Sequence, residues 1–397
     1  MELQKMRELV EPTALKPDLD DEEIKTRFAR AAWTTIVEPG DADGGTVREL
    51  VGSYKSLRKL LSGTDLSGWM DATRGELDAN RMQRALDRWR PRLEPAGFER
   101  ALLQGKRWKQ RLLCPEDDLW PEQLNDLGSH VPAALWVRGN AEFLRACSAS
   151  VALVGARAST TYGEQVAAEL AEGASHRGIS VVSGGAYGID AVAHRVTLLS
   201  GGTTVSVLAG GLDRWYPTAH SELFERIERD GVIIAEAPSG VTPSRWRFLQ
   251  RNRIIAALAT GTIVVEASQR SGAINTAGHA ATLGRPLGAV PGPVTTGTSA
   301  GCHRVMREYT AEPVENSDDL ARLVTGRDER PVLSSAVGPL EMRILDALSN
   351  RRPQTVEEIC VLAGIRADEA FEGIGMLELA GAVQSRGSGY VKSSAKR

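Results

Sequence analysis

Short β-branched runs alternate with helical stretches through the middle of this 397-residue chain. Each run is apolar along most of its length, which is typical of parallel strands covered by helices on both faces. The runs are residues 151–154, 179–183, 204–208, 232–235, 262–266 and 287–290. The helical stretches between them are residues 163–176, 189–199, 219–229, 252–258 and 273–283. This rhythm predicts an α/β domain with a parallel sheet over residues 111–325.

The region before this domain is predicted to be helical. Apolar residues recur at helical spacing within 29–37, 47–61 and 79–89, and Asp43-Gly44-Gly45 is expected to be a break between helices. Residues 1–110 are therefore predicted to form a helical N-terminal domain. Residues 81–111 hold ten Arg or Lys against three acids, a mixture that suits either phosphate contact or a solvated helix face.

The region after the α/β domain is predicted to be a polar linker, 326–332, and a small module, 333–397. Three helices followed by a hairpin are typical of a winged helix. The predicted helices are 339–348, 355–363 and 366–379, and the predicted strands are 382–385 and 390–393. The third helix carries four acids, and residues 331–397 hold eight basic and eight acidic residues. We therefore expect this module to bind a protein partner or the rest of this chain, with Arg386 and Lys392 of the hairpin as its one candidate contact for nucleic acid.

The composition limits the functional classes. The formal net charge is −3, so affinity for nucleic acid must come from a local basic patch. The four cysteines are scattered and predict neither a disulfide framework nor a metal site. The N-terminal segment lacks the apolar core of a signal peptide, and the longest apolar run, 254–265, is too short to span a bilayer. The sequence predicts a cytoplasmic protein with no membrane span, metal or cofactor.

Two glycine-containing turns follow the first two strands of the α/β domain. Gly155 and Arg157 lie at the end of the first strand, where a glycine admits a ligand and a helix N-terminus favours an anion. Ser183, Gly184 and Gly185 follow the second strand and offer a hydroxyl and space for a backbone. Both turns are predicted to bind phosphate.

An arginine-rich segment precedes the fifth strand, and no acid occurs between Glu236 and Glu266. It is interpreted as a loop that leads into the helix 252–258. Cations beside aromatic rings fit phosphate contact and base stacking on an unpaired strand, whereas the alternative is neutralisation of carboxylates elsewhere in the fold. The predicted contacts are Arg245, Phe248, Arg251, Asn252 and Arg253.

A further turn, with Ser271 and Gly272, opens the next helix beside Arg270. Turns at the carboxyl ends of parallel strands converge on one crevice. The turns and the arginine-rich segment together predict one anion-binding groove.

Several enzyme classes are unsupported. There is no GxGxxG after the first strand, no GxxxxGK[ST], and no nucleophile elbow at Ser183. Asp190 and His194 lie four residues apart on one helix, but helix capping and packing against the sheet explain them better than a metal pair. No catalytic residue is predicted.

At these residues the chain resembles the DNA-processing protein A (DprA/Smf) family. The order and spacing of the motifs agree over residues 111–325. The matching stretches are Val154–Arg157, Ser183–Asp190 with Ala193-His194, Gly210–Asp213 with Tyr216-Pro217, Phe248, Arg251–Ala256, Val265–Ala267, Ser271-Gly272 and Val290–Gly292.

The resemblance implies an extended Rossmann-like fold with a helical, SAM-like N-terminal domain and a C-terminal winged helix. It implies a protein that binds and protects incoming single-stranded DNA and loads the RecA recombinase during natural transformation, without turnover. It also implies a homodimer formed through the C-terminal part of the Rossmann-like domain. The DNA pocket of the family corresponds here to Gly155, Arg157, Ser183–Gly185, Arg245 and Phe248.

The competing hypothesis is an enzyme that acts on a nucleotide, because similar folds include nucleotide phosphoribohydrolases. Such an enzyme needs a catalytic acid at the groove, and Glu236 and Glu266 are the carboxylates near these turns. The Pro-Gly-Gly-x-Gly-Thr turn of those hydrolases is absent, and Pro291-Gly292-Pro293 stands instead.

Overall fold

The computed structural model describes residues 2–326 and 338–393. The chain divides at residue 327 into two compact units. Of the predicted linker, residues 327–332 lie outside the described residues, as do residues 333–337 and 394–397 of the predicted module.

The first 110 residues fold into helices, as predicted. The helices are α1 Leu3–Val10, α2 Asp21–Ile36, α3 Ala42–Val51, α4 Ser53–Leu61, α5 Leu66–Ala72, α6 Ala79–Trp89 and α7 Pro95–Arg107. Helix α2 begins at a capping box, in which the Asp20 carboxylate accepts from the Glu23 amide and Glu23 accepts from the Asp20 amide. Gly52, with φ +85°, separates α3 from α4, so the stretch predicted at 47–61 is two helices.

The expected break at residues 43–45 is wrong, because these residues lie inside α3. Gly45 packs directly against the backbone of Ser129, since a Cβ at this position would collide with the Ser129 carbonyl oxygen. A glycine within a helix therefore marks a close approach of two backbones here.

A nine-stranded sheet runs through the first unit. The strands are β1 Arg111–Leu113, β2 Leu135–Gly139, β3 Ser150–Gly155, β4 Ser180–Ser183, β5 Thr204–Leu208, β6 Val232–Ala235, β7 Gly261–Glu266, β8 Leu287–Ala289 and β9 Glu312–Pro313. Their order is β1-β2-β6-β5-β4-β3-β7-β8-β9. Strands β3 to β9 pair in parallel, which confirms the predicted α/β sheet, and β1 and β2 extend it in antiparallel register at the β6 edge.

Helices cover both faces of this sheet. They are α8 Thr161–His176, α9 Ile189–Leu199, α10 Ser221–Asp230, α11 Arg245–Leu258, α12 Gly272–Thr282, α13 Ala300–Glu308 and α14 Ser317–Thr325. Alternate residues of β3 enter different cores: Val151 and Leu153 pack with α8, α9 and α14, whereas Ala152 and Val154 pack with α11 and α12. Strand β3 is thus buried on both faces, which explains its unbroken apolar run.

The apolar core continues from the N-terminal helices into the sheet domain. Trp33 and Trp89, whose rings meet edge to face at 5.4 Å between centroids, belong to the same buried cluster as Trp136 of β2 and Ile233 of β6. The segments on either side of residue 110 therefore share one core within the first unit.

The second unit has its own small core. It contains helices α15 Pro339–Ala347, α16 Val356–Ala363 and α17 Ala367–Leu379, followed by the antiparallel hairpin of β10 Val383–Arg386 and β11 Gly389–Lys392. These elements agree with the predicted helices and hairpin, and the assignment to the winged-helix class stays a prediction. None of the described helices combines the length and the apolar character that crossing a membrane requires.

Candidate nucleic-acid interface

A pocket of about 820 Å³ opens at the carboxyl ends of β3 and β7. The sequence runs outward from β3 in both directions, through β4 toward β6 and through β7 toward β9, so these two strands flank the topological switch point of the sheet. Open α/β sheets bind ligands at this place. Eight of the predicted site residues line the pocket: Gly155, Arg157, Arg245, Phe248, Arg251, Asn252, Ser271 and Gly272.

The first turn presents an exposed cation. A Cβ at Gly155 would lie 2.5 Å from Cγ1 of Ile189 and 3.0 Å from the carbonyl oxygen of Glu266, so the strand end tolerates only glycine without rearrangement. Arg157 projects beyond it, with its guanidinium carbon 4.9 Å from the centroid of the Phe248 ring. It has no ion-pair partner among the described residues. The guanidinium is therefore available to an anion.

Glu266, one of the two carboxylates required by the enzyme hypothesis, has a structural role. It is buried, and its carboxylate accepts from the amide and the hydroxyl of Thr160 at 2.9 Å each. Thr160 in turn caps α8 by accepting from the Gly163 amide. Glu266 thus anchors the helix that follows the first turn.

The second turn, Ser183–Gly185, lies mostly behind the lining of the pocket. Ser183 is fully buried, and its hydroxyl donates to the Leu153 carbonyl at 2.7 Å, so it is not directed at a ligand. Gly184 lies under the Arg251 guanidinium, which a Cβ at this position would overlap, and it lines a smaller adjoining cleft. Gly185 has φ +66°, and a Cβ there would lie 2.6 Å from the Phe224 ring. Of these three residues, the structure brings only Gly184 to the edge of the site.

The interpretation of residues 245–253 as a loop is wrong, because they form the first turns of α11. The Ser244 hydroxyl caps the helix by accepting from the Arg247 amide, and no glycine or proline interrupts residues 245–258. Helical periodicity then directs Arg245, Phe248 and Asn252 into the pocket.

Arg251 forms part of the pocket floor. This residue is only 6% exposed, and its Nε and Nη1 atoms have no hydrogen-bond partner within residues 2–326 and 338–393. Burial, assisted by the like charge of Arg157 and opposed by Asp190, lowers the pKa of Arg251 to about 10, so it remains a cation at neutral pH. Its guanidinium carbon lies 5.7 Å from the centroid of the Phe248 ring. A buried cation without an ion pair favours an anionic ligand.

Arg247 and Arg253 point to the opposite side of α11. Arg253 is 2% exposed and donates to Glu236 at 2.8 Å and to the His130 carbonyl at 2.9 Å. Arg247 forms a two-pronged ion pair with Glu38, at 2.7 and 2.9 Å. For these two arginines the alternative of carboxylate neutralisation holds. Arg253 is therefore not brought to the pocket and instead ties α11 to the rest of the unit.

The turn after β7 completes the rim. Ser271 caps α12 by accepting from the Ala273 amide, and Gly272 begins the helix. Asn252 donates to the Gly272 carbonyl at 3.3 Å and to the Asn275 side chain at 3.1 Å, which fixes α11 against α12. Arg270, which the sequence analysis noted but did not assign to the site, is exposed on the same rim.

His194 packs in the buried interior as expected, but the expectation that Asp190 caps its helix is wrong, because the N-cap is Gly188 and has no side-chain hydrogen bond. The Asp190 carboxylate accepts from the Ala186 amide at 3.3 Å, and burial raises the pKa of this carboxyl. His194 is fully buried with Nδ1 2.7 Å from the Thr204 hydroxyl, and burial lowers its pKa to about 3. No group of residues suited to hold a metal occurs in the described part of the chain.

The basic segment 81–111 does not join this site. Trp89 and Phe98 are buried in the core, and Arg81 and Arg88 pair with Asp43. Arg81 and Arg88 thus belong to a solvated, ion-paired helix face, in agreement with the second interpretation of this segment.

Residues 111–325 match the family model of DNA recombination-mediator protein A. A putative DNA processing protein DprA of Mycobacterium tuberculosis is 45% identical over 297 residues, 70% of this chain and 75% of that protein. This chain belongs to the DNA recombination-mediator protein A family. The protein Smf of Escherichia coli is 32% identical over 71% of this chain and 77% of its own length. The X-ray structure of DNA processing protein A from Streptococcus pneumoniae matches with a TM-score of 0.59 and 28% identity, over 74% of this chain and 96% of that chain.

Family membership confirms the resemblance drawn from the ordered motifs. It does not distinguish which motif residues face a ligand. Tyr216 illustrates the difference, because in the sequence it is only part of a motif, whereas the structure places its half-exposed ring on the pocket wall. The signal available in the sequence was a tyrosine that closely follows Gly210-Gly211 at the end of a strand.

Proposed function

We propose that the pocket binds single-stranded DNA. One observation carries this proposal: the Arg157 and Arg251 guanidinium groups lie over the same aromatic ring, that of Phe248, inside an open pocket. Cations that lack ion pairs suit phosphates, and a partly exposed ring suits the face of a base. Base faces are accessible in a single strand and hidden by stacking in a duplex, so the combination favours the single strand.

The proposed DNA contacts are the residues that line the pocket and its rim. Arg157, Arg245 and Arg251 are assigned to phosphates, and Phe248 to a base. The walls that admit the sugar-phosphate backbone are assigned to Gly155, Gly184, Asn252, Ser271 and Gly272. Ser183, Gly185 and Arg253 are assigned to positioning, because their polar groups or Cα atoms face the protein interior.

The proposal includes the role of a recombination mediator without turnover. The protein would protect incoming single-stranded DNA and load RecA onto it, and two copies would associate through the C-terminal part of the Rossmann-like domain. The family description supports the mediator role. Glu236 is paired with Arg253 and Glu266 anchors Thr160, and these structural contacts support binding rather than catalysis.

Equilibrium binding of fluorescent oligonucleotides at several salt concentrations tests this function. We expect the single strand to bind more tightly than the duplex, with low sequence preference. Its affinity should fall steeply with salt, because each neutralised phosphate releases counterions. Preference for duplex, or an affinity independent of salt, would refute the proposal.

Phe248 and Arg245 are expected to contribute in different ways. Phe248→Ala should cost about 1–3 kcal/mol of binding free energy through lost stacking, with the salt slope unchanged. Arg245→Ala should lower the magnitude of the slope of log K against log salt by about 0.7, the value for one phosphate of a single strand. Salt titrations of both variants measure this difference. Equal slopes for the two variants would contradict the assignment of Arg245 to phosphate.

The second unit is expected to contribute little to DNA affinity. Four acids lie exposed on or beside α17: Asp368, Glu369, Glu372 and Glu378. Their charge repels phosphates, so deletion of residues 331–397 should leave most single-strand affinity in place. The isolated segment 331–397 should bind neither single-stranded nor duplex DNA at micromolar concentration near physiological salt. Micromolar binding by the isolated segment would contradict this expectation.

A further inference from the structure

Tyr216 lies on the wall of the proposed DNA pocket but has no part in the contacts assigned above. Its ring is 50% exposed, although large aromatic side chains are usually buried. The ring centroid lies 5.7 Å from that of Phe248, and the two planes are inclined by 52°. The two rings therefore form one continuous aromatic surface.

This surface continues from the main pocket into the smaller cleft. Tyr216, Pro243 and Phe248 line both cavities. The floor of the cleft is the backbone at the end of β5, where a Cβ at Gly210 would lie 2.8 Å from the Pro243 ring. The absence of a side chain at Gly210 thus lets the loop before α11 close over the strand end and places the cleft directly beside Phe248.

Arg214 also lines the smaller cleft and provides a cation there. The Arg214 side chain is 80% exposed, and its ion pair with Asp213 is long, at 3.5 Å. Asp213 is held instead by the Gly240 amide at 2.8 Å. An exposed pair at that distance contributes little, so Arg214 is free to meet a phosphate.

We propose that Tyr216 stacks a second base and that Arg214 contacts the phosphate of the same nucleotide. This inference rests on the proposed binding of single-stranded DNA and extends it from Phe248 to the exposed ring of Tyr216 beside it. A base sandwiched between two rings needs about 7 Å between their planes, twice the van der Waals separation, so the 5.7 Å spacing excludes insertion between them. Consecutive bases instead stack on the two rings side by side, which requires at least two nucleotides in the site.

Binding of oligothymidylates of increasing length to the full-length protein and its Tyr216 variants tests the inference. Tyr216→Ala should weaken binding by about 5- to 150-fold, the range for loss of one stacked base, whereas Tyr216→Phe should remain within about twofold of the wild type. Arg214→Ala should reduce the salt slope by about 0.7, and Tyr216→Ala should leave it unchanged. The wild type should gain affinity from one to two nucleotides, and Tyr216→Ala should lose most of that gain.

The outcomes separate this inference from the function on which it rests. If the wild type does not bind single-stranded DNA, the proposed function fails. If the wild type binds and Arg157→Ala weakens binding while Tyr216→Ala matches the wild type, only the second base position is refuted. A Tyr216→Phe variant as weak as Tyr216→Ala would also refute stacking, because it would assign the role to the hydroxyl. Thermal unfolding of each variant establishes that it is folded.

Discussion

Replacing Arg157 with alanine is expected to weaken binding of single-stranded DNA by about 1.5–3 kcal/mol, which is roughly 10- to 150-fold. The guanidinium projects from the end of β3 over the Phe248 ring and has no ion pair among the described residues. Its loss removes a charge-assisted contact at the centre of the pocket and breaks no ion pair among the described residues. Fluorescence anisotropy at fixed salt measures the change.

Arg58→Ala is the matched control, because it removes the same charge from an exposed position on α4. We expect this control to bind like the wild type apart from a small general electrostatic effect. Equal losses in the two variants would show that bulk charge, and not the pocket, sets the affinity. An unchanged affinity in folded Arg157→Ala protein would also contradict the assignment of the site.

Gly188→Ala is expected to destabilise the first unit by at least about 1–3 kcal/mol and to disturb the pocket as well. Gly188 has φ +73° and ψ −128°, a conformation that is essentially restricted to glycine. A Cβ would collide with the carbonyl oxygen of Ala156 and lie 2.7 Å from that of Arg157. The first turn would have to move, and Arg157 would move with it.

Urea denaturation followed by tryptophan fluorescence measures this effect, because all eight tryptophans lie before residue 327 and report on the first unit alone. Gly284→Ala is the control. Gly284 also has a positive φ, +65°, but a Cβ there meets no atom within 4 Å. The control should lose less stability than Gly188→Ala and keep its affinity for DNA. Equal losses of stability would show that conformation alone, without the steric conflict, determines the effect.

The central strands could be predicted from the sequence because their burial is uniform. Strands β3 to β8 lie between two helical layers, so most of their residues are apolar, and the polar ones, such as Thr204 and Ser206 of β5, are buried as well. Strands β1 and β2 escaped prediction because they pair in antiparallel register only with each other and with β6, a partner about a hundred residues away from β2. Local sequence carries no signal for such a pairing.

The site was predicted as a region, but the roles of its individual arginines were not. Arg245, Arg247, Arg251 and Arg253 look equivalent along the chain. Helix α11 separates them onto two sides, and Arg247 and Arg253 meet Glu38 and Glu236, carboxylates supplied by other segments. This separation could not be predicted while the segment was interpreted as a loop, because a loop has no periodicity that indicates the side to which each side chain points.

Photocrosslinking followed by peptide mapping tests the central claim most directly. The full-length protein is irradiated with a single-stranded oligonucleotide that carries 5-iodouracil, and the attached peptides are identified by mass spectrometry. Crosslinks are predicted at Phe248 and in the turn 154–158, with loss of both when an excess of unlabelled single strand competes. Crosslinks confined to the N-terminal helices or to residues 338–393, with none at the pocket, would contradict the assignment of this pocket as the binding site for single-stranded DNA.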